Sequence, residues 1–178
     1  MYKVLAIATL TASIQFLSAS SPLSYLQDGG SYPFSLDNEQ VSVTGSLDYK
    51  HQQYYWQPAD RLEPSLWLTS DKATILDNEL SLATVWDYDQ FSQLHPFLAS
   101  WFWLVSIDEK AFETEQGSYG LCHAQWGCYQ LTWSPSWLVV HWKDGEGALN
   151  STLTLGRQKQ GQSTFAFQMP DNWTVEKG

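Results

Sequence analysis

Apolar and polar residues alternate along most of this chain, and helical periodicity is nearly absent. Alternation over short runs is typical of strands with one buried face. Asp77-Asn78 and Asp144-Gly145 interrupt the pattern with turn chemistry. Residues 87–98 are the one stretch expected to hold a short helix. Residues 21–33 are expected to form an irregular segment that leads into the first strand. The pattern predicts strands at residues 41–44, 65–69, 72–76, 79–86, 101–107, 119–124, 128–133, 137–142, 148–155 and 163–169.

These short strands, separated by turns at regular intervals, indicate an all-β fold. The spacing is typical of a single-domain antiparallel β-sandwich or barrel of about nine strands. No internal repeat is visible, so a β-trefoil is an alternative that the pattern does not favour. Residues 101–107 are apolar on both faces at their start, which predicts a central strand. The length beyond residue 20 fits one domain with its own core.

The first twenty residues have the three parts of a secretory signal peptide. Lys3 is the only charge before Asp28, and residues 4–17 form an apolar run diluted by small polar residues. Ser18-Ala19-Ser20 follows, which suits cleavage after Ala19 or Ser20. The run is too short for a membrane span, which needs about 20 apolar residues. We therefore expect residues 1–20 to be a signal peptide and residues 21–178 to be one secreted β domain.

The charge excludes some classes of partner. The chain has 9 Lys and Arg against 19 Asp and Glu, for a formal net charge of −10. An acidic surface repels phosphate backbones, and it lacks the basic face of a peripheral membrane protein. We expect neither nucleic acid nor membrane among the partners.

The two cysteines, Cys122 and Cys128, favour a disulfide in an exported chain. The five residues between them are enough to form a tight hairpin. The alternative is a zinc site made of both cysteines with His123 and His141, but that spacing matches no common zinc pattern. We therefore expect a disulfide, no metal and no other cofactor.

Two Asn-x-Ser/Thr sequons, at Asn150 and Asn172, would be glycosylated in a eukaryotic secretory pathway.

The ten Trp, nine Tyr and eight Phe make up 15% of the chain. Most of these rings are expected in the core, because large aromatic side chains supply much of the buried area of a small β domain.

The segment from Tyr119 to Trp133 resembles a group of small secreted fungal proteins, uncharacterised or loosely described as cell-wall or IgE-binding proteins. The resemblance is carried by Leu121-Cys122, Trp126-Gly127 and Gln130-Leu131-x-Trp133, and upstream by residues 68–73 and 78–82. It implies export, an all-β fold and a role at the fungal surface or in host tissue. It implies no catalytic residues.

The leading hypothesis is a secreted, non-enzymatic protein that is associated with a surface or cell wall and binds glycans through exposed aromatic rings. The candidate rings are Tyr54, Tyr55 and Trp56, expected in a Gln-rich loop, and Trp126, expected at the tip of the hairpin. The partner would be a cell-wall polysaccharide or an extracellular protein. The same rings could instead support an inhibitor or effector that acts through protein contacts.

The alternative is a small glycosidase or lyase, which needs two carboxylates across a cleft. In an extended chain, Asp87 and Asp89 share a face, as do Glu113 and Glu115; Glu79 and Glu146 are further candidates. Asp87 and Asp89 are expected in a loop, and Glu113 and Glu115 lie in a polar segment expected to be solvated. The chain has no Gly-x-Ser-x-Gly nucleophile elbow. The sequence thus favours binding over catalysis.

Overall fold

The computed structural model describes residues 30–39, 41–108, 111–115, 118–134, 136–147, 149–157, 167 and 169–178. The proposed signal peptide, residues 1–20, lies outside these residues, as does most of the strand predicted at 163–169. The described part contains twelve strands and three short helices. The strands are β1 (Gly30–Asn38), β2 (Ser42–Lys50), β3 (Gln53–Pro58), β4 (Ser65–Leu68), β5 (Lys72–Asp77), β6 (Leu82–Asp87), β7 (Glu113–Glu115), β8 (Ser118–His123), β9 (Gly127–Ser134), β10 (Trp137–Lys143), β11 (Asn150–Gly156) and β12 (Thr174–Lys177). The helices are α1 (Tyr88–Leu94), α2 (Pro96–Ala99) and α3 (Trp101–Ser106).

The strands form one sheet in the order β12-β6-β5-β4-β3-β2-β1-β11-β10-β9-β8-β7. Strands β1 to β6 form one antiparallel meander and β7 to β11 a second, and β1 pairs with β11 to join them. Strand β12 adds to β6 in parallel. The predicted all-β, largely antiparallel fold is confirmed. The sheet is open rather than closed into a barrel, and the described residues hold more strands than the nine expected.

Alternation creates the core, as β10 shows. Leu138, Val140 and Trp142 are buried, whereas the residues between them are at least partly exposed. In register, Val140 is opposite Leu131 of β9 and Leu153 of β11, and both are fully buried. Because side chains on neighbouring strands point the same way at paired positions, this register builds one continuous apolar face.

The three helices connect β6 to β7 and pack on the apolar face. Phe91, Phe97 and Trp101, one from each helix, belong to the same buried cluster as the strand residues. The helix expected within 87–98 is confirmed, and it is divided where Pro96 begins α2. Proline suits a first helical position because it has no N–H to satisfy there.

The structure corrects the predicted form of residues 101–107 and the predicted extent of the lead-in. The central strand expected at 101–107 is instead helix α3 over residues 101–106, and Trp101 and Leu104, three positions apart, are its buried residues. A short run that is apolar on both faces does not distinguish strand from helix by periodicity. The lead-in expected through residue 33 ends earlier, because β1 begins at Gly30.

The expected hairpins are present. Asp77 Oδ1 accepts hydrogen bonds from the backbone N–H groups of Glu79 and Leu80, at 3.0 and 2.9 Å, which fixes the turn between β5 and β6. Cys122 and Cys128 face each other across β8 and β9 and form the predicted disulfide. Trp103 of α3 packs on this hairpin, with its ring centroid 4.7 Å from that of His123 and 5.5 Å from that of Tyr129.

Removal of the disulfide is expected to lower the free energy of unfolding by about 2 kcal/mol, because the loop it closes is short and the entropy it removes from the unfolded chain is modest. Urea unfolding of a Cys122→Ser/Cys128→Ser double variant measures the loss. Dithiothreitol should bring the wild-type protein to the same midpoint and leave the double variant unchanged. An undiminished midpoint in the variant would contradict the prediction.

Candidate functional site

Strands β3 and β4 together carry aromatic residues on both faces of the sheet. Tyr54 and Trp56 are opposite Leu68 and Leu66, so all four point to the core. Tyr55 is opposite Trp67, which is in turn opposite Thr74 of β5. These three side chains therefore form a row on the face away from the core, here called the outer face.

The predicted loop around Tyr54 is strand β3. Tyr54 and Trp56 are 0% and 4% exposed, and only Tyr55 of the three is partly exposed on the outer face. The alternation of Gln53, Tyr55 and Gln57 with two aromatic residues was the signal for a strand. The flanking glutamines suggested a loop instead, although glutamine is compatible with a solvated strand face.

Trp126 lies in the turn between β8 and β9, as expected, but its ring is only 8% exposed. Its carbonyl oxygen accepts hydrogen bonds from the Tyr129 hydroxyl, at 3.0 Å, and from Trp142 Nε1. These bonds hold the turn against β10. Of the four candidate rings, the structure presents Tyr55 to the outer surface and buries the other three.

The buried candidates form an aromatic cluster with α3. The Trp101 ring centroid is 5.8 Å from that of Trp56 and 6.3 Å from that of Tyr54, in both cases edge-on. Burial raises the pKa of Tyr54, with the neighbouring Tyr49 adding to the effect, so its hydroxyl stays protonated. This cluster is part of the core.

The outer face holds a groove of about 390 Å³. In the described part of its lining, Trp67 of β4 is the one aromatic residue and the other residues are polar. The groove lies between the β2–β3 turn and the β4–β5 turn. We call this groove the Trp67 groove. Its principal lining residues are His51, Gln53, Trp67, Thr69, Asp71 and Lys72.

Local hydrogen bonds hold the groove in place. Trp67 Nε1 donates to Gln53 Oε1 at 3.4 Å, which orients the indole and the amide together. The Thr69 hydroxyl donates to Asp71 Oδ1 at 2.8 Å and accepts from the Lys72 backbone N–H at 3.2 Å, which closes the β4–β5 turn. A tight side-chain-bonded turn of this kind has little freedom, so the polar groups are preorganised.

Phe167 extends the aromatic surface beside the groove. Its ring centroid is 4.6 Å from that of Trp67 and 5.5 Å from that of Tyr55. The outer face therefore carries three contiguous rings, contributed by β3, β4 and the segment that precedes β12. Sequence reasoning missed Trp67 because it was assigned only to a strand. Its place between Leu66 and Leu68, which point inward, was the signal that it points outward.

Of the proposed carboxylate pairs, Asp87 and Asp89 are both exposed and are not part of a described pocket. Asp87 is exposed and forms an ion pair with Lys177 of β12, with Oδ2 and Nζ 3.7 Å apart. Asp89 is exposed in the first turn of α1. Glu113 and Glu115 lie on β7, and their side chains are outside the described part of the structure. Asp87 is opposite Lys72 of the Trp67 groove in the β5–β6 register, but neither Asp87 nor Asp89 lines that groove.

The zinc alternative does not hold, because Cys122 and Cys128 are joined to each other. Within the described ranges there is no group of three or more His, Cys, Asp or Glu placed to bind a metal. Among the same residues, no helix is long and apolar enough to cross a membrane. Of the two sequon residues, Asn172 is exposed, and Asn150 is partly buried at the start of β11.

No protein-family model matches the chain, and no curated protein matches it. The fold and the site thus define an all-β protein with a disulfide-closed hairpin and an aromatic groove on the outer face of an open sheet.

Proposed function

We propose that this protein is a secreted, non-catalytic glycan-binding protein whose Trp67 groove binds a cell-wall polysaccharide. The observation that carries the proposal is the pairing of one outward indole with a preorganised polar lining. A pyranose ring has an apolar C–H face and a rim of hydroxyls. The indole suits the face, and the polar side chains suit the rim.

The lining offers both kinds of hydrogen-bonding group that sugar hydroxyls need. Lys72 can only donate, Asp71 can only accept, and the Gln53 amide does both. Lys72 and Asp71 are exposed, so the groove is open to a chain that extends beyond one sugar. Phe167 packs beside both Trp67 and Tyr55, and these two neighbouring rings supply further stacking area next to the groove.

The volume and composition of the groove favour a glycan over a protein partner. A volume of about 390 Å³ is within the range of about 300–1,000 Å³ typical of small-ligand sites. Protein hot spots are usually desolvated clusters of several aromatic or arginine anchors. The Trp67 groove has one aromatic residue among polar neighbours and therefore fits a hydroxylated ligand better.

Binding is favoured over hydrolysis because, among the described residues, Asp71 is the one carboxylate that lines the groove, and a glycosidase needs two. Secretion is supported by the signal-like first twenty residues and by the disulfide, which suits an oxidising compartment. The resemblance to small secreted fungal proteins points to a fungal cell wall as the partner surface.

Replacement of Trp67 by alanine is expected to reduce binding to an insoluble wall polysaccharide at least tenfold, because it removes the stacking surface. Sedimentation assays with chitin, β-1,3-glucan and cellulose measure the bound fraction as a function of protein concentration. Trp67→Phe, which keeps a ring and loses the indole N–H, should retain intermediate binding.

The matched control is Trp137→Ala. Trp137 is an exposed tryptophan (39%) on β10, which four strands, β3, β2, β1 and β11, separate from β4. This variant should bind as the wild-type protein does, and thermal unfolding should show that both alanine variants are folded. The proposal is overturned if the wild-type protein is retained by none of the polysaccharides, or if folded Trp67→Ala is retained equally well.

A further inference from the structure

A second pocket, of about 210 Å³, lies where α2 meets the ends of β1 and β11. Its described lining shares no residue with that of the Trp67 groove. Most of this lining is apolar, and Asn150, the first residue of β11, is part of it. The apolar lining residues are Leu36, Pro96, Phe97, Leu98, Trp142 and Leu149. The pocket therefore places an N-glycosylation sequon beside an apolar surface.

The side chain of Asn150 points its oxygen inward. Oδ1 is buried, whereas the residue as a whole is only partly buried. The two branches of a carboxamide diverge from one carbon, so an inward oxygen leaves Nδ2 as the outward branch. Nδ2 is the atom that N-glycosylation modifies. A glycan on Asn150 would therefore begin at the rim of the pocket.

Two buried rings and one exposed leucine form the wall next to Asn150. Phe97 and Trp142 are buried, and their ring centroids are 5.6 Å apart. Trp142 Nε1 donates to the Trp126 carbonyl oxygen, so the indole is held in place. Leu149 directly precedes Asn150 and is 55% exposed. Covering an exposed leucine with apolar atoms is favourable.

The pocket suits N-acetylglucosamine, the first sugar of an N-linked glycan. Its apolar wall suits the C–H face and the acetyl methyl group of this sugar. An apolar cavity of about 150 Å³ holds benzene, so the larger pocket here has room for one six-membered ring. The polar side chains that complete the lining can between them donate to and accept from hydroxyl and acetamide groups. They are Asn38, Glu39, His95 and Ser151.

Covalent attachment makes a weak contact sufficient. A group joined to the protein by a short link has an effective local concentration of about millimolar. A contact whose dissociation constant for the free sugar is of the same order is therefore about half occupied once the sugar is attached to Asn150. The pocket does not need the close fit of a site for a free ligand.

The second sequon offers an internal comparison. Asn172 is exposed in a turn in which the Trp173 backbone N–H donates to the Pro170 carbonyl oxygen at 3.2 Å. It lines neither the Trp67 groove nor the pocket beside Asn150 in the described part of the structure. A glycan on Asn172 would therefore extend into solvent.

We propose that Asn150 carries an N-linked glycan whose first N-acetylglucosamine packs in this pocket, against Leu149 and the two buried rings. The proposal rests on the secretory part of the proposed function and not on polysaccharide binding by the Trp67 groove. The donor is a lipid-linked oligosaccharide pyrophosphate. The bond from the sugar C1 to Nδ2 forms, the bond from C1 to the pyrophosphate oxygen breaks, and Nδ2 loses one proton. This transfer occurs before the chain folds, so the partial burial of Asn150 does not prevent it.

The test is expression of the full chain behind a yeast secretion leader, which brings it into the glycosylating compartment. Tryptic cleavage at Arg157 separates the two sequons, so mass spectrometry measures each site alone. Asn150 should be occupied. Peptide N-glycosidase should release its glycan at least tenfold more slowly from the folded than from the denatured protein, whereas release from Asn172 should change little. An unmodified Asn150, or equal release from folded and denatured protein, would overturn the proposal.

A variant and a direct contact measurement identify the pocket as the cause of the slow release. Leu149→Ser removes the exposed part of the wall, keeps the sequon and should raise the release rate from the folded protein severalfold. The matched control, Leu80→Ser, removes another exposed leucine, in the β5–β6 turn, and should leave the rate unchanged. Nuclear Overhauser contacts should join the acetyl methyl group to the Phe97 ring in the wild-type glycoprotein.

The proposal is wrong if folded Leu149→Ser keeps the slow release or if the Phe97 contacts are absent. Trp67→Ala should leave the shielding of the Asn150 glycan unchanged, because the two sites share no described lining residue. Polysaccharide binding by the Trp67 groove and packing of the Asn150 glycan can thus fail separately.

Discussion

Replacement of Trp101 by alanine is expected to lower the free energy of unfolding by about 3–5 kcal/mol, the usual range for truncating a large buried aromatic side chain. Trp101 is 1% exposed and contacts the rings of both Tyr54 and Trp56. It is the residue through which α3 fills the apolar face of the sheet. Guanidinium unfolding followed by circular dichroism measures the change.

Two controls define what a smaller effect would mean. Leu80→Ala removes a side chain that is 68% exposed in the β5–β6 turn and should change the stability by no more than about 0.5 kcal/mol. Trp101→Phe keeps a ring and should fall between the two. A loss below about 1 kcal/mol for Trp101→Ala would show that α3 does not pack in the core.

Gly127→Ala is the second substitution expected to have a large effect, about 3 kcal/mol of destabilisation. Gly127 has a φ of +83°, and a Cβ there would overlap the carbonyl oxygen of Lys143 on β10. The left-handed backbone costs a non-glycine residue about 1–3 kcal/mol, and displacing the neighbouring strand costs a similar amount. Thermal unfolding under oxidising conditions measures the loss while the adjacent disulfide stays intact.

Two other glycines separate these terms. Gly147 has a φ of +71° with open space around its Cβ position, so Gly147→Ala should show only the smaller conformational cost. Gly145 has neither a positive φ nor a close neighbour, and Gly145→Ala should be nearly neutral. If Gly127→Ala costs no more than Gly147→Ala, the close approach between the β8–β9 turn and β10 is not rigid.

The strands that the sequence predicted well are those in which buried and exposed side chains simply alternate from one residue to the next. In β10, alternating residues are buried and at least partly exposed, so the pattern and the structure agree. The turn at Asp77 was predictable because its side chain bonds the following backbone N–H groups. The Cys122–Cys128 pair was predictable because six residues of separation in a hairpin bring two strand positions face to face.

The predictions that were wrong concern segments whose form depends on distant partners. Residues 101–106 are apolar enough for a central strand. They form a helix because this part of the connection from β6 to β7 packs on the apolar face of the sheet. Tyr54 and Trp56 are buried because α3 packs over them. No local pattern in β3 records that covering helix.

The Trp67 groove shows the same division. The sequence by itself determined that Trp67 belongs to a strand, that a second strand follows after two residues, and that the chain is acidic, because these properties depend on composition and on neighbours in the chain. Only the tertiary structure decided that Tyr55, Trp67 and Phe167 lie together. Phe167 is a hundred residues from Trp67 in the sequence, and the two rings are in contact only because the chain before β12 returns to the outer face. Strand alternation sets the face on which each side chain points. Which side chains share a site depends on the order of strands in the sheet, and that order follows from packing the whole core.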